Sequence, residues 1–368
     1  MDKLKRYIDI EVPVSTCNLR CHYCYITQNS LFSSRIEPLK YSIEHITRAL
    51  SKKRLGGICL LNLCGSGETL LPPYITNLTE ALLEEGHYLT IVTNGLATRR
   101  IREIMEQCTP DMKKRLMFKV SFHYLELVRL GLMDKFFNNI RIIREGGSSF
   151  TLELTPSDEL IPHIPDIKRK CMDNVGALCH VTIARDQHTS DFPILTKLTR
   201  EEYKSIWSQF DSQLFDFKIA IFGDKRPEFC FNGLWGGVLH LNSGELRACY
   251  NSYIHHNILA DPDRPIGFRP IGRCCFAHCF NAHSWLTLGM IPELATPSYA
   301  DMRDRIDTDG CHWLQPEMSE FMSQKLTDAH SGLTRTEKEW LIKRNLLRKY
   351  YFISRAIVSD FRHSIFKK

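Results

Sequence analysis

Cys17, Cys21 and Cys24, in the stretch STCNLRCHYCY over residues 15–25, put three thiols within eight positions of one another. Thiolates at such spacing are metal ligands, and zinc and most iron–sulfur clusters take four protein ligands. Three cysteines can hold three irons of a [4Fe–4S] cube and leave the fourth iron open to a ligand from outside the chain. The rival reading is a zinc ion completed by His22 or a more distant histidine, although structural zinc sites usually pair two CxxC-type knuckles. A second set of cysteines follows much later. Cys230 and Cys249 lie on either side of the hairpin signal around Gly244, and the run CCFAHC supplies Cys274, Cys275 and Cys279. One thiol before a hairpin, one after it and a glycine at the tight turn bring distant cysteines together.

The elements that must carry these thiols alternate. Strand-like segments fall at Tyr7–Val14, Gly57–Cys64, His87–Thr93, Met117–Phe122, Ser149–Thr155 and Cys179–Ala184. In the fifth, Phe150, Leu152 and Leu154 alternate with Thr151, Glu153 and Thr155, the period of a strand. Between strands, Ile101, Ile104, Met105 and Cys108 repeat at helical spacing, as do Met133, Phe136, Phe137, Ile140 and Ile143. Another helix has Pro73 in its first turn and Gly86 just past its end, and a further one near Glu201–Phe210 completes six β/α units. This order predicts a parallel sheet with helices outside, too short for an eight-stranded barrel. In such folds the chemistry sits at the C-terminal ends of the strands, which is where Cys17, Cys21 and Cys24 follow the first strand. After Phe222 the helical period is lost, so the expected organisation is a barrel over 1–222, a small cysteine-rich domain over 223–310, and a segment over 311–368 that becomes helical near Thr334.

Composition excludes several classes. With 43% hydrophobic and 24% charged residues and no apolar run of 18, the chain offers no membrane span. The start, MDKLKRYIDIEV, has no apolar signal core, so a cytoplasmic location is expected, and fourteen cysteines there read as metal ligands and buried thiols rather than disulfides. The net charge of +6 is concentrated at one end. Residues 335–368 hold ten Lys/Arg against three Asp/Glu, which leaves the remaining residues at about −1. A basic helical tail packs on the body or docks on an anionic membrane surface or acidic partner. Without a second basic face, nucleic acid is not expected as a partner.

Cys17, Cys21, Tyr23 and Cys24 resemble the signature of the radical S-adenosylmethionine (radical SAM) superfamily, with an aromatic residue just before the last cysteine. The resemblance implies a partial (β/α)6 barrel over roughly residues 7–222 and a cluster whose open iron binds SAM, cleaved by one electron to a radical that takes hydrogen from substrate. It places Ser66, Gly67 and Glu68 of CGSGE, Asn94 after the third strand, and Ser121 and His123 after the fourth around SAM, together with Tyr23. The stretch from Cys230 through Gly244 to Cys249, with Cys275 and Cys279, resembles the SPASM and twitch domains that carry auxiliary clusters. The cysteine count fits one auxiliary [4Fe–4S] cluster on Cys230, Cys249, Cys275 and Cys279, with Cys274 the rival to Cys275 and a structural zinc the alternative metal. Asn281 and His283 stand near the substrate, near the cluster sulfurs, or in a purely structural role. Cys311, or whichever of Cys274 and Cys275 is not a ligand, is the candidate hydrogen donor, as in some radical SAM epimerases. An external donor such as flavodoxin or ferredoxin would supply the electron. SFHY (121–124) and CFNAH (279–283) are similar to a radical SAM group associated with surface-polysaccharide genes, which points to a carbohydrate or other small metabolite. The alternatives are a peptide-modifying maturase and, from another class, a non-catalytic iron–sulfur or zinc-binding interaction protein.

Overall fold

The computed structural model describes residues 2–345 and 347, apart from 190, 251, 253–254, 275–278 and 280. Cys275 and residues 348–368 of the basic tail therefore lie outside the described residues. The strands are β1 (Arg6–Val12), β2 (Cys59–Gly65), β3 (Tyr88–Thr93), β4 (Leu116–Ser121), β5 (Ser149–Leu154), β6 (His180–Val181), β7 (Gly236–His240), β8 (Glu245–Arg247) and β9 (His255–Asn257). They form one sheet in the order β6-β5-β4-β3-β2-β1-β7-β8-β9. Every pairing from β6 to β7 is parallel, and β8 and β9 are antiparallel. The sheet is open, an α/β partial barrel as expected.

Alternation along the strands divides the two faces. Ile8, Ile10, Leu61, Leu63, Leu89, Ile91, Phe118, Val120, Phe150 and Leu152 point outward and are buried under helices. Those helices include Ile75–Glu84, Thr98–Gln107 and Met133–Glu145, which bring Leu78, Leu82, Ile101, Ile104, Ile140 and Ile143. The other face is layered. Near the strand starts it is apolar, with Tyr7, Leu60, Tyr88 and Met117 in a second core with Trp235, Trp285, Tyr299, Met302 and Phe321. Two residues further along each strand it turns polar, with Asp9, Asn62, Thr90 and Lys119, all buried.

The structure adds three features to the sequence expectation. The hairpin at 240–249 forms, with Gly244 at φ +73° where a Cβ would meet Asn257 Oδ1 at 2.5 Å, yet it does not stand apart. Its strand β7 lies parallel to β1, so the sheet runs straight across the boundary expected near 222/223. Residues 311–333 are also body rather than tail: Trp313, Leu314, Met318, Phe321 and Leu326 are buried. Helix resumes at 335, where Lys338 pairs with Glu293 at 2.7 Å and Asn345 donates to the Pro270 and Ile271 carbonyls. The first turns of the tail thus pack on the protein. No described helix is long and apolar enough to cross a membrane.

Phe321 stacks on Tyr88 with ring centroids 3.7 Å apart and closes the apolar end of the inner face. Phe321→Ala should cost about 3–5 kcal/mol of unfolding free energy in denaturant titration. A loss below about 1 kcal/mol would show that this segment does not close the core.

Candidate functional site

The loop after β1 is built from backbone contacts between consecutive β/α connections. Gly67 N donates to the Val14 carbonyl at 2.7 Å and Glu68 N to the Thr16 carbonyl at 2.9 Å, so the CGSGE turn lies against the chain entering the cysteine motif. Approach is so close that a Cβ on Gly67 would sit 2.0 Å from the Thr16 oxygen. This position needs glycine for space, not for an unusual dihedral. Thr16 Oγ1 donates to the Ser33 carbonyl at 2.7 Å and holds the far side of the loop.

Glu68 organises the next layer. Its carboxylate accepts from Thr93 Oγ1 at 2.6 Å, Asn94 N at 2.7 Å and Leu70 N at 3.1 Å, and it is buried. Burial raises its carboxyl above the ordinary range, with the three donors acting against that rise. Asn94 carries the linkage to the thiols: its Nδ2 donates to Asn18 Oδ1 at 2.6 Å and lies 3.8 Å from Cys17 Sγ. The connections after β2 and β3 therefore clamp the cysteine loop. Asn18 and Thr93 belong to this clamp and carry no motif signal of their own.

Tyr23 and His123 form a third tie. The Tyr23 hydroxyl and His123 Nδ1 are 2.7 Å apart, joining the cysteine loop to the end of β4. Burial pushes the His123 imidazole down to about 4, so it is neutral at physiological pH. Ser66 is exposed on the CGSGE turn, and Ser121 is half-buried at the end of β4. The structure thus brings Tyr23, Ser66, Gly67, Glu68, Asn94, Ser121 and His123 to the strand ends that carry the three thiols. The Glu68 oxygens, however, are largely taken by the protein's own donors.

Cys17, Cys21 and Cys24 are free thiols in this loop, and burial raises the first two above the ordinary thiol value. Among the described residues, no three Cys, His, Asp or Glu side chains are spaced to hold a single metal ion. His22 is turned towards Glu159 at 3.0 Å. A cubane sets a different requirement, because each thiolate binds its own iron and the sulfurs need not converge. The donor set fits a cluster with three protein ligands.

The later cysteines gather at the other edge of β1. Burial pushes the Cys230 thiol up to about 12, with added repulsion from Cys249 and Cys274. Cys279 is raised well above its ordinary value by burial and then by Cys249, Cys230 and Cys274. Cys230, Cys249, Cys274 and Cys279 are therefore within electrostatic reach of one another. Cys274, the rival in the sequence reading, stands in this group.

Cys311 does not belong to either set. It is exposed in a turn where Asp307 N bonds its carbonyl and Thr308 N bonds the Gly176 carbonyl, while Trp313 O accepts from Phe150 N at the start of β5. This is the N-terminal end of the strands, opposite the thiol loop. The expected role of Cys311 as hydrogen donor is corrected on that ground. Cys59, Cys108, Cys171 and Cys179 are buried as small hydrophobes, whereas Cys64 is half-buried near the upper end of β2.

Between the two cysteine sets lies a polar interior that sequence reading missed. Asp9 is fully buried and accepts from Tyr7 Oη and Asn62 Nδ2, both at 2.8 Å, from Asn281 Nδ2 at 2.7 Å and from Tyr250 Oη at 3.2 Å. Thr90 Oγ1 extends the chain to Asn62 Oδ1 at 2.6 Å. Arg303, from the C-terminal half, pairs with Glu153 of β5. The available signal was a charged residue at an alternating strand position, as in RYIDIEV and TLELT.

Residues 12–152 match the family model described as the radical SAM superfamily. No curated protein matches the chain. Among solved structures, SuiB of Streptococcus suis bound to S-adenosylmethionine is 14% identical with a TM-score of 0.48, over 70% of this chain and 64% of that one. The chain thus spans just under two thirds of SuiB. SuiB bound to precursor peptide SuiA is 16% identical with a TM-score of 0.48, over 71% and 64%. The structure of anSMEcpe with bound AdoMet is 16% identical with a TM-score of 0.49, over 70% and 76%.

Two outcomes test this clamp. Glu68→Gln places an amide where three donors now meet a carboxylate, and should lower the stability of the cluster-free protein by about 1–3 kcal/mol. Unchanged stability in urea would mean that Glu68 is kept for a ligand instead. His123 is protonated more readily when unfolded, so its contribution is complete above its ordinary value near 6.5 and is lost as the pH falls towards 4. His123→Asn should flatten the slope of unfolding free energy against pH in that window.

Proposed function

We propose that the protein is a radical SAM enzyme acting on a carbohydrate or other small metabolite by oxidation, epimerisation or rearrangement. The observation that carries this reading is the three-thiol loop after β1, held by Gly67, Glu68 and Asn94 from the next two connections. A [4Fe–4S] cluster on Cys17, Cys21 and Cys24 would supply one electron to cleave SAM to methionine and a 5′-deoxyadenosyl radical, which takes a hydrogen atom from substrate. Asn94 orients the loop and offers an N–H beside Cys17 Sγ. His123, neutral and bonded to Tyr23, fixes the aromatic ring next to Cys24 without adding charge there. Ser66 and Ser121 offer hydroxyls at the same strand ends for SAM.

One auxiliary [4Fe–4S] cluster is assigned to Cys230, Cys249, Cys279 and either Cys274 or Cys275. The mutual repulsion of Cys230, Cys249, Cys274 and Cys279 supports a shared site for these thiols, and Cys275 lies outside the described residues. Residues 1–222 then form the barrel and 223–310 the cluster-bearing part, with an external flavodoxin or ferredoxin as the source of electrons.

Reconstitution with iron and sulfide under anaerobic conditions should give about eight irons per chain and little zinc. With SAM and dithionite it should then release 5′-deoxyadenosine, abolished in Cys24→Ala. Stoichiometric zinc with about four irons would remove the auxiliary cluster from this assignment. No product above the Cys24→Ala background would favour a non-catalytic metal-binding protein.

A further inference from the structure

Strand register lines up a thiol, a carboxylate, an imidazole and an ammonium across the upper inner face. Glu11 of β1 pairs with Cys64 of β2 on one side and with His240 of β7 on the other. Val92 of β3 follows Cys64 in the row and pairs with Lys119 of β4. Residues two apart on a strand share a face, so Glu11, Cys64, Lys119 and His240 stand on the side of Asp9, Asn62, Met117 and Val238. His240 Nδ1 lies 2.5 Å from Glu11 Oε2. Cys64 opens the turn that clamps the thiol loop: a Cβ on the next residue, Gly65, would meet Val14 Cγ1 at 2.4 Å, and Gly67 N donates to the Val14 carbonyl.

Cys64 is kept protonated. Burial, and then the Asp9 and Glu11 carboxylates, raise it well above the ordinary thiol value, against a smaller pull from Lys119. A neutral thiol is a poor nucleophile and a poor metal ligand. It is a good hydrogen-atom donor, because an S–H bond is weaker than the C–H bond of a saturated carbon.

Lys119 marks the same row as a place for a ligand. It is only 6% exposed, yet its ammonium makes no hydrogen bond or salt bridge among the described residues. An ammonium taken out of water needs acceptors, and an oxygen of a bound molecule supplies one. Neighbouring strands lie about 4.8 Å apart, so Cys64 and Lys119, two strands apart, are separated by roughly 10 Å at the backbone. One small ring fits between thiol and ammonium.

We propose that Cys64 is the hydrogen-atom donor of the reaction, and that the substrate is a hydroxylated small molecule inverted at one carbon, with an oxygen on Lys119. This rests on reading the thiol loop as the source of the 5′-deoxyadenosyl radical. That radical takes a hydrogen atom from the substrate carbon and leaves as 5′-deoxyadenosine. Cys64 then gives its S–H hydrogen to the carbon radical, which forms a C–H bond and leaves a thiyl radical. One electron from the external donor and one proton from the Glu11–His240 pair restore the thiol. Each turnover consumes one SAM and two electrons, the first of them spent on cleaving SAM.

The test needs no substrate. The reconstituted full chain is given SAM and dithionite in D2O, where thiols exchange to S–D, and the 5′-deoxyadenosine is analysed by mass spectrometry. The radical should take deuterium from Cys64, so the product should carry a single deuterium. The labelled fraction of the product should be lost in Cys64→Ala and Cys64→Ser, since a methyl group does not exchange and a serine O–H bond is too strong, and retained in Cys311→Ala. On the cluster-free chain, iodoacetamide should alkylate Cys64 severalfold faster in Glu11→Gln, because removing that carboxylate eases thiolate formation. Unlabelled product from the unaltered chain, a label that persists in either Cys64 variant, or alkylation unmoved in Glu11→Gln overturns the donor assignment alone. No 5′-deoxyadenosine at all from the unaltered chain overturns the radical SAM reading, and the donor with it.

Discussion

Asp9 is the constraint around which the molecule is arranged. A carboxylate removed from water must find hydrogen bonds for its lone pairs or give up its charge. Asp9 finds four donors on Tyr7, Asn62, Tyr250 and Asn281, which belong to β1, β2, the segment after the β7–β8 hairpin and the loop after Cys279. Burial still raises its carboxyl above the ordinary range. These bonds tie the two cysteine regions to one strand. Together with the β1–β7 pairing, they make the cysteine-rich part continuous with the barrel.

A similar economy governs the strand ends. Glu68 is buried to hold Thr93, Asn94 and Leu70, and through Asn94 it reaches the loop that bears Cys17. A carboxylate bound by backbone and hydroxyl donors is a rigid joint, because each lost bond leaves a buried polar group exposed to its full desolvation cost. Gly67 permits the joint by removing the atom that would otherwise strike Thr16. Rigidity matters here because a site on loops is only as well placed as the contacts beneath it.

The two faces of the sheet make a further division of labour. The outward face is an ordinary apolar interface with helices, and the lower half of the inner face is closed by aromatic residues from 285–321. Only the upper half is polar. Its charges are held by partners from distant parts of the chain, as Arg303 is held by Glu153. The inner polar layer thus lies directly above an apolar floor and directly below the thiol loops.

Much of the fold was legible from residue order. The six strands and the helices between them follow from period-2 and period-3.6 patterns, and β1 followed at once by three cysteines put the thiols at the correct end of the sheet. The CGSGE turn was recognisable for the same reason, since its position after β2 is local information. What the sequence could not express was partnership across distance. Glu153 and Thr151 look like the solvent side of a half-buried strand, yet they face a covered interior, because residues beyond 222 lie over that side. Cys311 looked available as a hydrogen donor, but chain connectivity carries it to the far end of β5. By itself the sequence determined the succession of strands and helices and the place of the three thiols after the first strand, since these depend on neighbours a few residues away. Only the tertiary structure decided which charges share the interior, since burial and pairing are properties of residues that meet across hundreds of positions.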